Sequence, residues 1–255
     1  MFGPALAPHH PIQHTMENDG GVMRLETPSV AAPLGTTQYG KDVLSQFLTG
    51  ARPTLIAGSV GGFFAAVLGF GIGLTAGYFG SWVDTVLMRL TDLSFALPGL
   101  PLVIVILSFT EPSIWLIALA ELAIIWKQSA RIVRSEVITV TERTFVESAR
   151  VSGAGHLRTM IRHVAPNVAP IGFLYSAYSV GWAISGQAGI AFLGFGDPNT
   201  TSWGRMLREA FESGAIREAW WWVLPPALGI ILVCVSVFFI GRAYEERINP
   251  KINDV

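Results

Sequence analysis

Long uncharged runs, separated by short polar segments, set the pattern of this chain. Pro53 to Gly80 is 28 residues without a charge, and Asn167 to Gly196 is 30. Apolar stretches also cover 93–110, 113–133 and 220–241. A membrane helix needs about 20 apolar residues. The pattern therefore predicts five spans, at 53–80, 93–110, 113–133, 167–196 and 220–241. The second uncharged run exceeds one perpendicular span, which predicts a tilt or a break near Gly186 or Gly189. Residues 81–92 read as a short polar connection. Val43, Leu44, Phe47 and Leu48 read as a small amphipathic interfacial helix before the first span.

Within 53–80, Gly58, Gly62, Ala66, Gly69, Gly73 and Gly77 recur every three or four residues. Small residues at that spacing let helix backbones approach closely in lipid. Trp220, Trp221 and Trp222 are expected to form an interfacial belt at the last span.

Between the third and fourth spans lies a polar, basic island. Its core, residues 143–166, reads as two short helices. Thr144 is expected to cap the first, Gly153 and Gly155 to end it, and Pro166 and Pro170 to mark a start or kink. Lys127 to Arg162 holds seven Lys or Arg, whereas His9 to Arg52 holds three. The positive-inside rule then places this island and the tail after Arg242 in the cytoplasm, and residues 9–52 outside.

Composition narrows the function classes. Of 255 residues 51% are hydrophobic and 14% charged, against about 25% charged in soluble domains. A net charge of −1 gives no case for nucleic-acid binding. The single cysteine, Cys234, excludes an intrachain disulfide. His9, His10 and His14 lack a carboxylate or cysteine to complete a metal set, so no metal site is expected. Gly35 to Lys41 matches a phosphate-binding loop until Asp42 replaces the magnesium-holding Ser or Thr. Glu121 is an ionisable group deep in the third span, where it normally faces a cavity or a partner.

Glu147, Ala149, Gly153 and Pro166 match the spacing of the Glu-Ala-Ala coupling loop of permease subunits in binding-protein-dependent ABC importers. Ser148, His163 and Ala165 depart from that pattern. Flanking phrases strengthen the resemblance to the dipeptide, oligopeptide and nickel branch. They are Pro33-Leu-Gly-Thr through Gly40-Lys-Asp-Val-Leu-Ser45, Phe192-Leu-Gly-Phe-Gly196, Ser202-Trp-Gly204 and Asn249-Pro-Lys251.

The resemblance implies an all-α polytopic helical bundle with the ABC type I importer permease fold. It implies a further N-terminal helix of which residues 1–8 are the end. Residues 1–52 would be an external polar segment, and 53–255 the permease domain with its coupling loop at 127–165. The chain would form half of a pathway for peptides or nickel. It would pair with a second homologous permease, two cytoplasmic ATPases carrying ATP and Mg, and an external solute-binding protein. It would itself be non-catalytic and bind no cofactor. Glu147 is expected to anchor the coupling helix, Ala149 and Gly153 to keep its surface small, and Arg150 to add charge at the rim. The alternative is an ATPase-independent carrier or channel relaying ions through Glu121.

Overall fold

The structure, a computed structural model, describes residues 7, 8, 10, 13 and 21–248, with Ile248 described by its backbone alone. Residues 1–6, His9, His14 and the Asn249-Pro250-Lys251 ending lie outside the described residues. The described residues form nine α-helices. They are α1 (Val43–Phe79), α2 (Ser81–Ala96), α3 (Gly99–Ser108), α4 (Ile114–Thr141), α5 (Thr144–Val151), α6 (His156–Thr159), α7 (Ala165–Phe192), α8 (Trp203–Glu212) and α9 (Trp220–Ile248).

The helix α1 starts where Asp42 accepts a bond from the Ser45 amide at 2.9 Å. It runs through Pro53 for 37 residues, so the expected interfacial helix is simply its first turns. Val43 is fully buried and Phe47 stacks on Trp203 at 5.4 Å between centroids. Two of the four apolar residues that suggested a lipid surface are thus packed against protein, while Leu44 and Leu48 stay half-buried.

Its small residues do admit other backbones, but on two sides rather than one. Gly58 and Gly62 lie against Ile184 and Val180 of α7. Gly69, Gly73 and Gly77 lie against Trp126, Ala130 and Arg134 of α4. Steps of four residues overshoot a 3.6-residue turn, so the row winds from one neighbour to the next. A Cβ at Gly77 would stand 2.8 Å from the Arg134 carbonyl, which side-chain motion cannot relieve.

The expected polar connection at 81–92 is instead most of α2, and the expected span at 93–110 is broken. Leu97 before Pro98 is extended (φ −82°, ψ 129°), as the proline ring requires, and α2 and α3 meet at 79°. Only Thr91 of α2 is buried. Polar groups of α4 tie α2 down. Arg134 forms a two-pronged bridge to Asp84, Arg131 reaches Asp92 at 2.8 Å, and Lys127 donates to the Ser94 carbonyl at 2.6 Å.

Among the described residues two helices, Val43–Phe79 and the Trp220–Arg247 part of α9, are long and apolar enough to cross a membrane alone, with mean hydropathies of 2.0 and 2.6. The α2–α3 pair qualifies only when taken together. The third and fourth expected spans are α4 and α7, each 28 residues and so long enough. They are less apolar because they form the interior of the bundle, where Glu121, Ser129, Ser179 and Gln187 are buried. The expected break near Gly186 or Gly189 is absent, and α7 is continuous to Phe192.

A second packed region joins residues 21–42 to α8 and the start of α9. Val43, Trp203, Met206, Trp221 and Trp222 form its core. Trp221 donates to the Thr36 carbonyl at 3.2 Å. Two of the three tryptophans are thus core residues and not an interfacial belt; Trp220 alone is well exposed. The Gly35–Lys41 loop closes on itself, with Thr37 Oγ1 accepting from the amides of Tyr39 and Lys41 at 3.2 and 3.1 Å.

Candidate functional site

Two places carry the predicted site residues. The first is the loop between α4 and α7. Its N-cap is Arg143, with no side-chain cap bond; Thr144 is the first helical residue and not the cap. Gly153 has φ +86°, ending α5 in the left-handed region that glycine enters cheaply. Its amide donates to the Arg150 carbonyl and the Ala154 amide to that of Ala149, at 3.0 and 3.1 Å. Gly155 has a different role from the one expected, as the extended N-cap of α6.

Pro166 does not start a helix either. It falls within a continuous helical run from His156, just after a π-helical turn at Met160–Val164. Proline has no N–H for the Arg162 carbonyl and would clash with it in a regular α-turn. The wider π turn, closed by the Ala165 amide on the Met160 carbonyl, removes that conflict.

The loop is pinned from beneath. Val146 is fully buried against Leu74, Tyr78, Val137, Val140, Met160 and Val164. Around it Glu147, Ser148, Arg150 and Gly153 face outward, and Ala149 is half-buried. Among the described residues Glu147 has no side-chain partner. Exposed apolar side chains flank these groups, with Val151 84% and Leu157 62% accessible. Tyr78, at the end of α1, was not singled out in the sequence. The Arg150 guanidinium sits 5.4 Å over its ring, and its hydroxyl lies 3.5 Å from His156 Nδ1. An aromatic residue at a span end ordinarily signals only the interface, so no pattern in the sequence marks this contact.

The second place is Glu121, far from the loop on α4. It is 1% exposed, and among the described residues neither carboxyl oxygen has a hydrogen-bond partner. A backbone amide, that of Gln187, faces it without reaching hydrogen-bond geometry. The carboxyl fits because α1 and α7 present glycines to it. A Cβ at Gly61 would stand 3.1 Å from Oε2, and one at Gly186 2.9 Å from Oε1. Glu121 and Gly186 also line a cavity of ≈ 470 Å³ between α3, α4 and α7.

The bundle can be set against known proteins. A chain of a methionine ABC transporter in an inward-facing conformation superposes with a TM-score of 0.67 over 79% of this chain and 95% of that one. Sequence identity there is 14%, so the likeness is one of fold. The dipeptide transport system permease protein of Alkalihalophilus pseudofirmus is 32% identical over 231 residues, which are 90% of this chain and 75% of the relative. The dipeptide permease of Haemophilus influenzae is 32% identical over 258 residues, 99% of this chain and 85% of its own length. The glutathione transport system permease protein of Pectobacterium atrosepticum is 31% identical over 228 residues, 89% of this chain and 75% of the relative. Residues 69–250 match the profile of the family described as binding-protein-dependent transport system inner membrane component. That match spans the buried carboxyl and the α4–α7 loop alike, and it displaces the ATPase-independent carrier as a reading. The chain belongs to this family, the membrane permease subunits of ABC importers.

Proposed function

We propose that this permease forms half of a peptide pathway and is driven through residues 143–166 by ATPase subunits on the cytoplasmic side. One observation carries the reading: α5 is anchored to the bundle by Val146 while Glu147, Ser148 and Arg150 stand outward beside exposed Val151 and Leu157. A helix held on one face and bare on the other is built to push against a partner. Ala149 and Gly153 keep that face low, and Pro166 fixes where the following helix begins its regular turns. The basic excess from Lys127 to Arg162 supports a cytoplasmic position for this loop and the C-terminus.

Peptide is the favoured solute because the dipeptide permeases above match along nearly the whole chain. A second permease would complete the pathway, and a solute-binding protein would deliver to the opposite side, where residues 21–42 and α8 lie. ATP and Mg belong to the ATPase partners, and this chain is a non-catalytic subunit. Purification from the native host through a tag on this chain should recover a second permease and ATPase chains. A chain that purifies alone and transports without ATP would overturn the reading.

A further inference from the structure

The cavity beside Glu121 contains more chemistry than helix packing needs. A carboxyl buried without a partner is costly in a bundle, and such a group ordinarily marks a pathway or a ligand. Ser129, two turns along α4, also lines the cavity and also has a buried oxygen without a partner. Across from them α7 contributes Tyr175, Tyr178 and Trp182 to the lining. The two tyrosine rings meet edge-on at 5.3 Å between centroids, and Trp182 is 68% exposed. Trp182 lies one helical turn from Gly186, the glycine against Glu121, and an indole face near a carboxylate is chemistry that recognises a cation carrying N–H donors. Lys127, the basic residue of the lining, is engaged elsewhere, with its Nζ donating to the Ser94 carbonyl at 2.6 Å.

The geometry points to this cavity as a binding site for a primary ammonium group, the free amino end of a short peptide on the functional reading above. Glu121 is its counter-charge and Trp182 its aromatic neighbour, while Tyr178 and Tyr175, about 12 and 16 Å along α7 from Gly186, wall the part of the cavity that takes the rest of the ligand. Dimensions agree with that class. Eight helical residues from Glu121 to Ser129 span about 12 Å, close to the length of three extended peptide units. The volume of ≈ 470 Å³ lies within the range of small-molecule sites. Both carboxyl oxygens are buried, with Gly186 of α7 against Oε1, so a ligand reaches Oε1 only when α7 shifts at Gly186.

The test uses the whole transporter, purified with its partner subunits and reconstituted. Ser185, in the cavity lining, is changed to Cys in a Cys234→Ala background, and maleimide labelling of this chain is timed. Dialanine is expected to slow labelling, and N-acetyl-dialanine, which lacks the ammonium, to leave the rate unchanged. Protection by both peptides alike, or by neither, overturns the inference. Adding Glu121→Gln should raise the half-protecting dialanine concentration roughly tenfold or more, the usual weight of a charge-assisted hydrogen bond. Undiminished protection in that variant also overturns it. Uptake of labelled dialanine by the unsubstituted transporter separates the two readings. Uptake without protection removes the cavity site alone. Protection without uptake removes the peptide-import reading and keeps an amine site.

Discussion

Arg134 and Asp84 join helices that are fifty residues apart in sequence at this point, with Nη2 donating to Oδ2 at 2.6 Å and Nε to the other oxygen. Both side chains are partly shielded, at 31% and 20% exposure. Since only Thr91 of α2 is buried, this fork does more to place α2 than apolar packing does. Asp84→Asn keeps the shape and removes the charge. It is expected to cost about 1 kcal/mol after allowance for solvent screening. Hydrogen exchange should quicken across 81–96 and stay unchanged in α1 and α7. Uniform quickening through the bundle would show that the bridge supports the whole fold instead.

Gly153 and Gly155 offer a contrast. A Cβ at either meets no atom within 4 Å, so space is not at issue. Gly153 has φ +86° and Gly155 φ −64°. Gly153→Val should therefore cost roughly 1–2 kcal/mol locally and displace the segment after Ser152, whereas Gly155→Ala should be nearly silent. Membrane insertion should be normal in both, with ATPase co-purification and uptake reduced only in the first. Equal behaviour of the two variants would remove the backbone argument.

Glu147→Lys and Val146→Ala should separate contact from support. Among the described residues Glu147 has no partner, so reversing its charge should leave the loop folded and weaken ATPase retention. Val146 fills a fully buried site, and its truncation should cost about 1–3 kcal/mol and loosen α5 as judged by protease sensitivity. Full uptake in the Glu147 variant would make the loop a connector only.

At Gly186 the single group opposing a methyl is the Glu121 carboxyl, with Oε1 at 2.9 Å. Gly186→Ala alone should destabilise the bundle by about 1–3 kcal/mol. Combined with Glu121→Ala, the methyl gains room and the penalty should largely vanish, giving a favourable coupling energy. Gly61→Ala should show little such rescue, because the Ala118 backbone also opposes it, with its carbonyl at 2.9 Å. Thermal stability in detergent for the two cycles decides the matter. Additive losses at Gly186 would place the carboxyl elsewhere.

The apolar runs, the helical bundle, the break at Gly153 and the burial of Glu121 were all legible in the sequence, because each follows from local composition or the cost of charge in an apolar setting. The helix α2 was not, since Asp84 and Asp92 read as loop residues until their partners arrive on α4, 50 and 39 residues later. Trp221 and Trp222 misled for a related reason. Their covering surface is built from Val43, Met206 and residues 21–42, and periodicity within α9 cannot report it. Pro166 signalled a helix start because proline usually does. The π turn that accommodates it depends on backbone geometry with no residue signature.

That turn also alters how the two ends of the continuous helix relate. An α-helix advances 100° per residue, and a π turn takes about one residue more to complete each revolution. Residues before Met160 are therefore set back in azimuth relative to those of α7, as teeth on one gear are offset from another on the same shaft. Because Pro166 opposes a regular α-turn here, the offset is locked in, and the segment leading back to Gly155 and α5 keeps a fixed azimuth relative to α7. Any displacement of that segment is therefore passed to α7 as the turning of one rigid shaft.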